Sequence, residues 1–276
     1  MRAYLVAAGV FAVLAGTLLA LGAGHTDTRF AWTINSELTT AFLNGMYWAA
    51  AVLLLVSACE RRWESARFGA YAAALFMTLL LAVMLVHFDL LHTDDHRFLV
   101  SWGAWGFLTS YAVLSALGVA AIAPQLRGSD APSPGSAPIP TAVRALFAFQ
   151  AAAAVASGAA LLLFATRADA LWPWALTPIG ARAIGGWVFA LGVVSALAAR
   201  DADWRRVRSV AAAYAALAVL QASALARFGD EVGWSRPAAW VYVAVLGSLA
   251  GVAVAGAARW PGRRQRAGGR SAAHSV

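Results

Sequence analysis

The chain has 276 residues, 61% of them hydrophobic and 12% charged, with a formal net charge of +8. Soluble domains run at about 45–50% apolar and about 25% charged, so a water-soluble globule is excluded and the surplus apolar surface calls for a bilayer. All 21 basic residues are arginines, and they fall between apolar runs rather than along one stripe, which excludes a nucleic-acid partner.

A spanning helix needs roughly 20 mostly apolar residues. Uncharged runs of that order occur at 3–24, 38–59, 68–86 and within 98–126, then at 145–166, 183–199, 209–226 and 237–258. The fold class expected is an all-α membrane protein with eight transmembrane helices. Arg2 before the first run resembles the start of a signal peptide. The run is long for a signal core, however, and it has a counterpart at 145–166, so it is expected to stay as a span. Cys59, the only cysteine, closes the second run and reads as a small buried hydrophobe. With the N-terminus inside, fifteen arginines fall on the cytoplasmic side and six on the other. The positive-inside rule then places both termini in the cytoplasm, in a multi-pass protein of the cell (plasma) membrane.

The chain also repeats itself. Phe30-Ala31-Trp32 returns as Trp172-Pro173-Trp174 after 142 residues, where Gly16 also meets Gly158 and Asp27 meets Asp169. At a spacing of 141, Gly45 meets Gly186, Trp63 meets Trp204, Arg67 meets Arg208 and Asp89 meets Asp230. At 135, Trp105 meets Trp240 and Phe107 meets Tyr242. A duplicated unit with an even number of spans enters the membrane each time from the same side. The expectation is two parallel tandem four-helix repeats about a pseudo-two-fold axis along the membrane normal. The domains are a first repeat over 1–123, a Pro/Ser-rich cytoplasmic linker over 124–141, a second repeat over 142–258 and a basic, disordered tail over 259–276.

Gly247, Gly251 and Ala255 stand four apart on the eighth span, and Ala112, Ala116 and Ala120 do so on the fourth. Small residues at that spacing let helix backbones approach closely, within a bundle, between halves or between subunits. Trp32, Trp174, Phe30 and Trp172 are expected at the outer interface as an aromatic belt. Pro173 and Pro178 disfavour helix there and suggest a shaped loop over a pocket. Asn44, Gln150 and Gln221 are expected to bond to neighbouring helices.

Two constellations could carry chemistry. Asp89 and Asp230 close the outer ends of equivalent helices, with Glu37 and Arg182 at the same level. Together with Trp32 and Trp174 they are candidates for a ligand or ion site near the outer leaflet, between the halves. The outer loop gathers His87, His92, Asp94, Asp95 and His96, donor types suited to zinc or another divalent ion at spacings that fit no metal motif. Haem through His87 or His25 lacks an attachment motif, and the cofactor is unknown. The absence of Walker A, GxGxxG, HExxH and GxSxG patterns argues against an ATPase, a zincin or a serine hydrolase, so an enzyme ranks last.

Phe30–Ile34, the Trp172–Pro178 run and Arg182-Ala183-Ile184-Gly185-Gly186-Trp187 resemble segments of uncharacterised eight-span membrane proteins of high-GC bacteria, over most of the chain. The resemblance implies the topology and brings no activity with it. Three readings follow: a transporter-like or ligand-binding protein; a membrane scaffold that binds a membrane-protein partner or a second copy of itself; and a metal or redox protein using the His/Asp loop. The bilayer is a partner in all three.

Overall fold

The computed structural model describes residues 1–125, 137–201 and 203–259. Apart from one isolated bridge between Pro138 and Asp203, all regular structure among them is helical. The helices are α1 (Arg2–Leu21), α2 (Thr26–Arg29), α3 (Glu37–Cys59), α4 (Trp63–Val86), α5 (Phe98–Ile122), α6 (Thr141–Leu163), α7 (Ala168–Leu171), α8 (Pro178–Asp201), α9 (Trp204–Phe228) and α10 (Pro237–Arg259). All but the single-turn α2 and α7 are long and apolar enough to cross a membrane, which gives the eight spans. At 1.5 Å per residue, a helix of α3's 23 residues is about 34 Å long, enough for a hydrocarbon core of about 30 Å.

Local chemistry sets the helix ends. Ser36, in extended backbone, caps α3 by accepting from the Thr39 N–H at 2.9 Å. Asp203 caps α9 by accepting from the Arg205 N–H at 2.9 Å. Pro178 and Pro237 occupy first helical positions, where the missing N–H costs nothing. The chain leaving α1 reverses at Gly24, whose φ of 75° lies in the left-handed region. Four helices begin earlier than the uncharged runs suggest: α4 at Trp63, α6 at Thr141, α8 at Pro178 and α9 at Trp204. Their first turns contain Glu64, Arg67, Arg144, Arg182, Arg205, Arg206 or Arg208, which bond to neighbours or reach the interface without breaking the helix.

The eight spans pack as one continuous bundle in which α3 and α4, from the first half of the chain, face α8 and α9 from the second. α3 and α8 are innermost, each two-thirds buried along the span. α1 is built into the core through Leu5, Ala8, Ala12, Ala15 and Leu19, all at most 1% exposed. On its other face Val6, Val10, Leu14 and Leu18 form an exposed apolar ridge. With Trp102, Trp105, Val113 and Leu117 on α5 and Trp240 and Val254 on α10, the sides of the molecule are apolar outward. Patches of that extent mark a lipid-facing surface, and the protein is a multi-pass integral membrane protein.

The chain start and the end of α10 lie at the same end of the bundle, here the terminal end. There the Arg2 Nε donates to the Ala58 carbonyl at 2.7 Å, and Arg259 lines a cavity with Glu60. α2 and α7 lie at the opposite, loop end. Two ion pairs bind the halves at the terminal end. Arg67 of α4 meets Asp201 of α8 at 2.8 Å, and Arg208 of α9 meets Glu60 beyond α3 at 2.6 Å. Asp201 also holds Arg206 at 2.8 Å.

Close helix contacts use glycine, and of the small residues read from the fourth and eighth spans Gly251 makes one, 3.1 Å from Leu146 Cδ1 to a Cβ placed on it. Ala112, Ala116 and Ala120 are exposed, and a Cβ on Gly247 would meet nothing within 4 Å. Instead α6 and α8 touch backbone to backbone. A Cβ on Gly158 would lie 2.5 Å from the Phe189 nitrogen, and one on Gly192 would lie 2.6 Å from the Val155 nitrogen. Between the halves, a Cβ on Gly45 of α3 would lie 2.7 Å from Gln221 Nε2 and 3.3 Å from Leu220 Cβ of α9. One on Gly186 of α8 would lie 3.0 Å from Leu80 Cδ2 and 3.4 Å from Leu79 Cβ of α4. The expected burial of Cys59 does not hold. It is exposed at the last residue of α3, because the neutral run ends at the bundle's rim.

Candidate functional site

At the loop end a cavity of about 470 Å³ lies between the halves. The first half contributes Ile34, Asn35, Ser36 and Thr39 from the segment entering α3 and its first turn. The second contributes Ala175, Leu176, Thr177 and Gly180 from the segment entering α8, and Glu231 from the turn after α9. Two helix N-termini therefore converge on the cavity, and each is satisfied by a hydroxyl. Ser36 caps α3, and Thr177 accepts from the Gly180 N–H at 3.2 Å.

Glu231 ties the second half to the first. Its carboxylate accepts from the Ser36 hydroxyl at 2.6 Å and from the Leu38 N–H at 2.9 Å. A carboxylate at a helix N-terminus meets both free N–H groups and the positive end of the helix dipole, worth about 0.3–1 kcal/mol when exposed and up to about 2 kcal/mol when partly buried. Trp174 supports the wall from behind: its indole N–H donates to Thr39 Oγ1 at 2.9 Å. Trp172, Trp174, Phe42 and Tyr242 pack edge-on or tilted, with ring centres 5.1–6.2 Å apart. The amide of Gln221 joins this group to α3 and α10, donating to the Phe42 carbonyl at 3.0 Å and accepting from the Tyr242 hydroxyl at 2.9 Å.

Trp32 stands in a matching cluster, 4.7 Å from Phe30, which is 4.9 Å from Phe107. Trp32 and Trp174 are 2% and 1% exposed, so they are bundle core and not an interfacial belt. The short segments after α2 and α7 fold inward, and the aromatics bury more area there than at the surface. The exposed aromatics at this end include Phe88, Phe98, Trp102, Trp105, Phe164, Trp234 and Trp240. Deeper in the seam, Phe76 stacks on Trp187 at 4.3 Å and Tyr47 meets that ring edge-on at 4.9 Å. Phe76 and Trp187 border a void of about 50 Å³, too small for a ligand.

None of the expected ligand residues is among those lining this cavity, and Trp174 reaches its wall through the hydrogen bond to Thr39. Asp89, Asp230 and Glu37 are exposed and form no hydrogen bond or salt bridge among the described residues. Arg182 is bound elsewhere, donating to the Leu162 carbonyl at 3.3 Å and to His87 Nε2 at 2.6 Å. Because Arg182 can only donate, His87 accepts and is neutral. Burial, then the Arg182 charge, holds its pKa below the ordinary histidine value, and Asp89 offsets this in part. Protonation is thus harder in the folded protein than in the unfolded chain. Stability is then lost as pH falls through the ordinary range near about 6.5. We expect the melting temperature in detergent to drop between pH 7.5 and 5.5, and His87→Gln to flatten that dependence. An unchanged slope in the variant would remove His87 as its source.

The expected metal ligands are not drawn together. His92 Nδ1 donates to the Phe30 carbonyl at 2.9 Å and Nε2 lies 3.1 Å from the Thr33 hydroxyl, so both ring nitrogens hold the Phe30–Thr33 segment in place. Asp95 is held by Arg97 at 2.6 Å, which keeps its carboxyl well below the usual range. Asp94 and His96 are exposed, and His87 belongs to Arg182. Among the described residues no three His, Cys, Asp or Glu side chains are grouped to hold a metal.

Sequence reasoning passed over Glu231, Ser36, Thr39, Asn35 and Thr177. A signal was present, since Ser36 and Thr177 each precede a span and lie 141 residues apart. No protein-family model matches the chain, and no curated protein or solved structure is significantly similar to it.

Proposed function

We propose that the protein is a duplicated membrane protein, with both termini cytoplasmic, that holds a small molecule in the cleft between its halves on the outer side, as a transporter or binding protein. The observation that carries this reading is the lining of the loop-end cavity. Ile34, Asn35, Ser36 and Thr39 face Ala175, Leu176, Thr177 and Gly180, and each residue lies 141 positions from its opposite number. The same spacing relates the ion pairs at the other end, since Arg67 with Asp201 is answered by Arg208 with Glu60. It also relates the crossing of Gly45 on Leu220 and Gln221 to that of Gly186 on Leu79 and Leu80. Reciprocal contacts of this kind are the signature of a two-fold interface. In repeat-built transporters the substrate site lies where the repeats meet.

The lining offers hydroxyls, an amide and one carboxylate, and no cation. That favours a neutral polar or cationic molecule, in a volume within the range of small-molecule sites. The test is binding or uptake by the reconstituted protein, with candidate ligands first ranked by thermal shift. Ala175→Phe, which fills the cleft from an exposed position, is expected to abolish ligand-induced stabilisation and leave the ligand-free melting temperature unchanged. Glu231→Gln is expected to weaken binding about tenfold, the worth of a charge-assisted hydrogen bond. If Asp89→Asn with Asp230→Asn abolishes binding and Ala175→Phe does not, the site lies at those acids and not in the cleft.

A second reading, a scaffold or homo-oligomer joined through α5 or α10, is favoured by the outward Ala112, Ala116 and Ala120 and by the open space at Gly247. Cysteine at Ala116 in a Cys59→Ser background tests it. Crosslinking to a second copy or to one stoichiometric membrane protein supports this reading, and none removes it.

A further inference from the structure

At the terminal end, opposite the cleft, a cavity of about 780 Å³ lies between the N-terminal turn of α4, the first turns of α9 and the last turns of α10. Five arginines and three carboxylates line it. Glu60 is engaged by Arg208 and Asp203 by the Arg205 N–H. Arg62 and Arg259 are exposed, and their side chains form no hydrogen bond or ion pair among the described residues. Beneath the charges the wall is alanine and glycine, from Ala211 and Ala215 on α9 to Ala253 and Gly256 on α10. Trp204, 7% exposed, stands between the two zones, and its indole N–H has no acceptor among the described residues.

Among the described residues no side chain of the second half fills the groove as Tyr4 fills its counterpart in the first. Tyr4 of α1 lies against α5 and α4: its hydroxyl is 2.5 Å from where a Cβ on Gly118 would stand, with Ala74 Cβ 3.0 Å from the same point. Ala74 and Gly118 correspond to Ala215 and Ala253 at the spacings of 141 and 135. Tyr4 corresponds to Leu146 at 142, and Leu146 packs instead on Gly251, farther from the terminal end. The correspondence between halves is that of the duplication proposed above, whereas the cavity and its charges stand without it.

We infer that this cavity seats one acidic phospholipid, its phosphate-bearing headgroup among Arg62, Arg205 and Arg259 and an acyl chain along Ala215, Ala253 and Gly256. A basic rim over an apolar wall at the end of the spans matches an anionic amphiphile and no purely soluble anion. The chain's own segments are poorly matched by charge. Residues 260–276 carry four arginines and no acid, and 126–136 carry one arginine and one aspartate.

The experiment uses the full chain in detergent, with phosphatidylglycerol, phosphatidylcholine and inorganic phosphate as probes, read by thermal shift and by native mass spectrometry of retained lipid. Phosphatidylglycerol is expected to stabilise the wild type and to stay bound one to one, with little effect from phosphatidylcholine or phosphate. Arg62→Gln with Arg259→Gln, both on exposed positions, is expected to weaken retention roughly fivefold per arginine. Ala253→Phe is expected to expel the lipid by filling the groove as Tyr4 does in the first half. Equal stabilisation by the two lipids, protection by phosphate alone, or full retention in the double arginine variant would each overturn the assignment.

Discussion

Replacing Gly158 with alanine is expected to destabilise the protein by on the order of 3 kcal/mol, and leucine by more. The added Cβ would stand 2.5 Å from the Phe189 nitrogen, 2.8 Å from its Cα and 2.9 Å from the Gly185 carbonyl oxygen. All three are backbone atoms in the middle of α8, so no side chain can turn aside to make room. Relief requires α6 and α8 to move apart along their whole contact, including the approach of Gly192 to Val155. Lipid offers no hydrophobic drive to pull them back, because helix association in a bilayer rests on close packing. Gly247→Leu is the control. It fills open space and is expected to stay within about 0.5 kcal/mol of wild type. Thermal unfolding of both variants in one detergent measures the contrast, and equal melting temperatures would show that α6 and α8 do not touch as described.

Asp201→Asn is the second large effect, a loss of on the order of 3 kcal/mol. Asp201 is 7% exposed and receives both Arg67 and Arg206, themselves 18% and 17% exposed. Neutralising it removes the negative charge that two guanidiniums share in a poorly hydrated pocket at the junction of the halves. Glu60→Gln removes the reciprocal carboxylate, but its partner Arg208 is 46% exposed and stays solvated. That variant is expected to lose no more than about 1 kcal/mol. The inequality between two carboxylates 141 residues apart is the informative result. Equal losses would mean that Asp201 holds a single arginine, as Glu60 does.

The spans were legible because they depend on composition along the chain. Each run of twenty or so apolar residues satisfies its own backbone as a helix, and no distant contact is needed to specify it. The starts of α4, α6, α8 and α9 were read late for the same reason: a rule that stops at charge cannot see that Arg67 and Arg208 are met by acids from the other half. The level of the loop-end cavity was legible, and the residues that line it were not. Asp89 and Asp230 lie at the same end of the bundle as that cavity, but the acid that crosses to the first half is Glu231, one position on. A single residue around a 3-10 turn changes the direction of a side chain by about a third of a revolution, and nothing in the local sequence distinguishes the two acids.

By itself the sequence determined that this is a chain of eight helices long and apolar enough to cross lipid, because hydropathy is a property of order along the chain. Only the tertiary structure decided that Trp32 and Trp174 are core, that His92 holds a loop and that Arg182 answers His87. It alone placed the cavities at the two ends of the bundle. Those outcomes depend on which side chains from distant segments reach the same few ångströms, and that is set by how helices pack and turn against one another, not by what each helix contains.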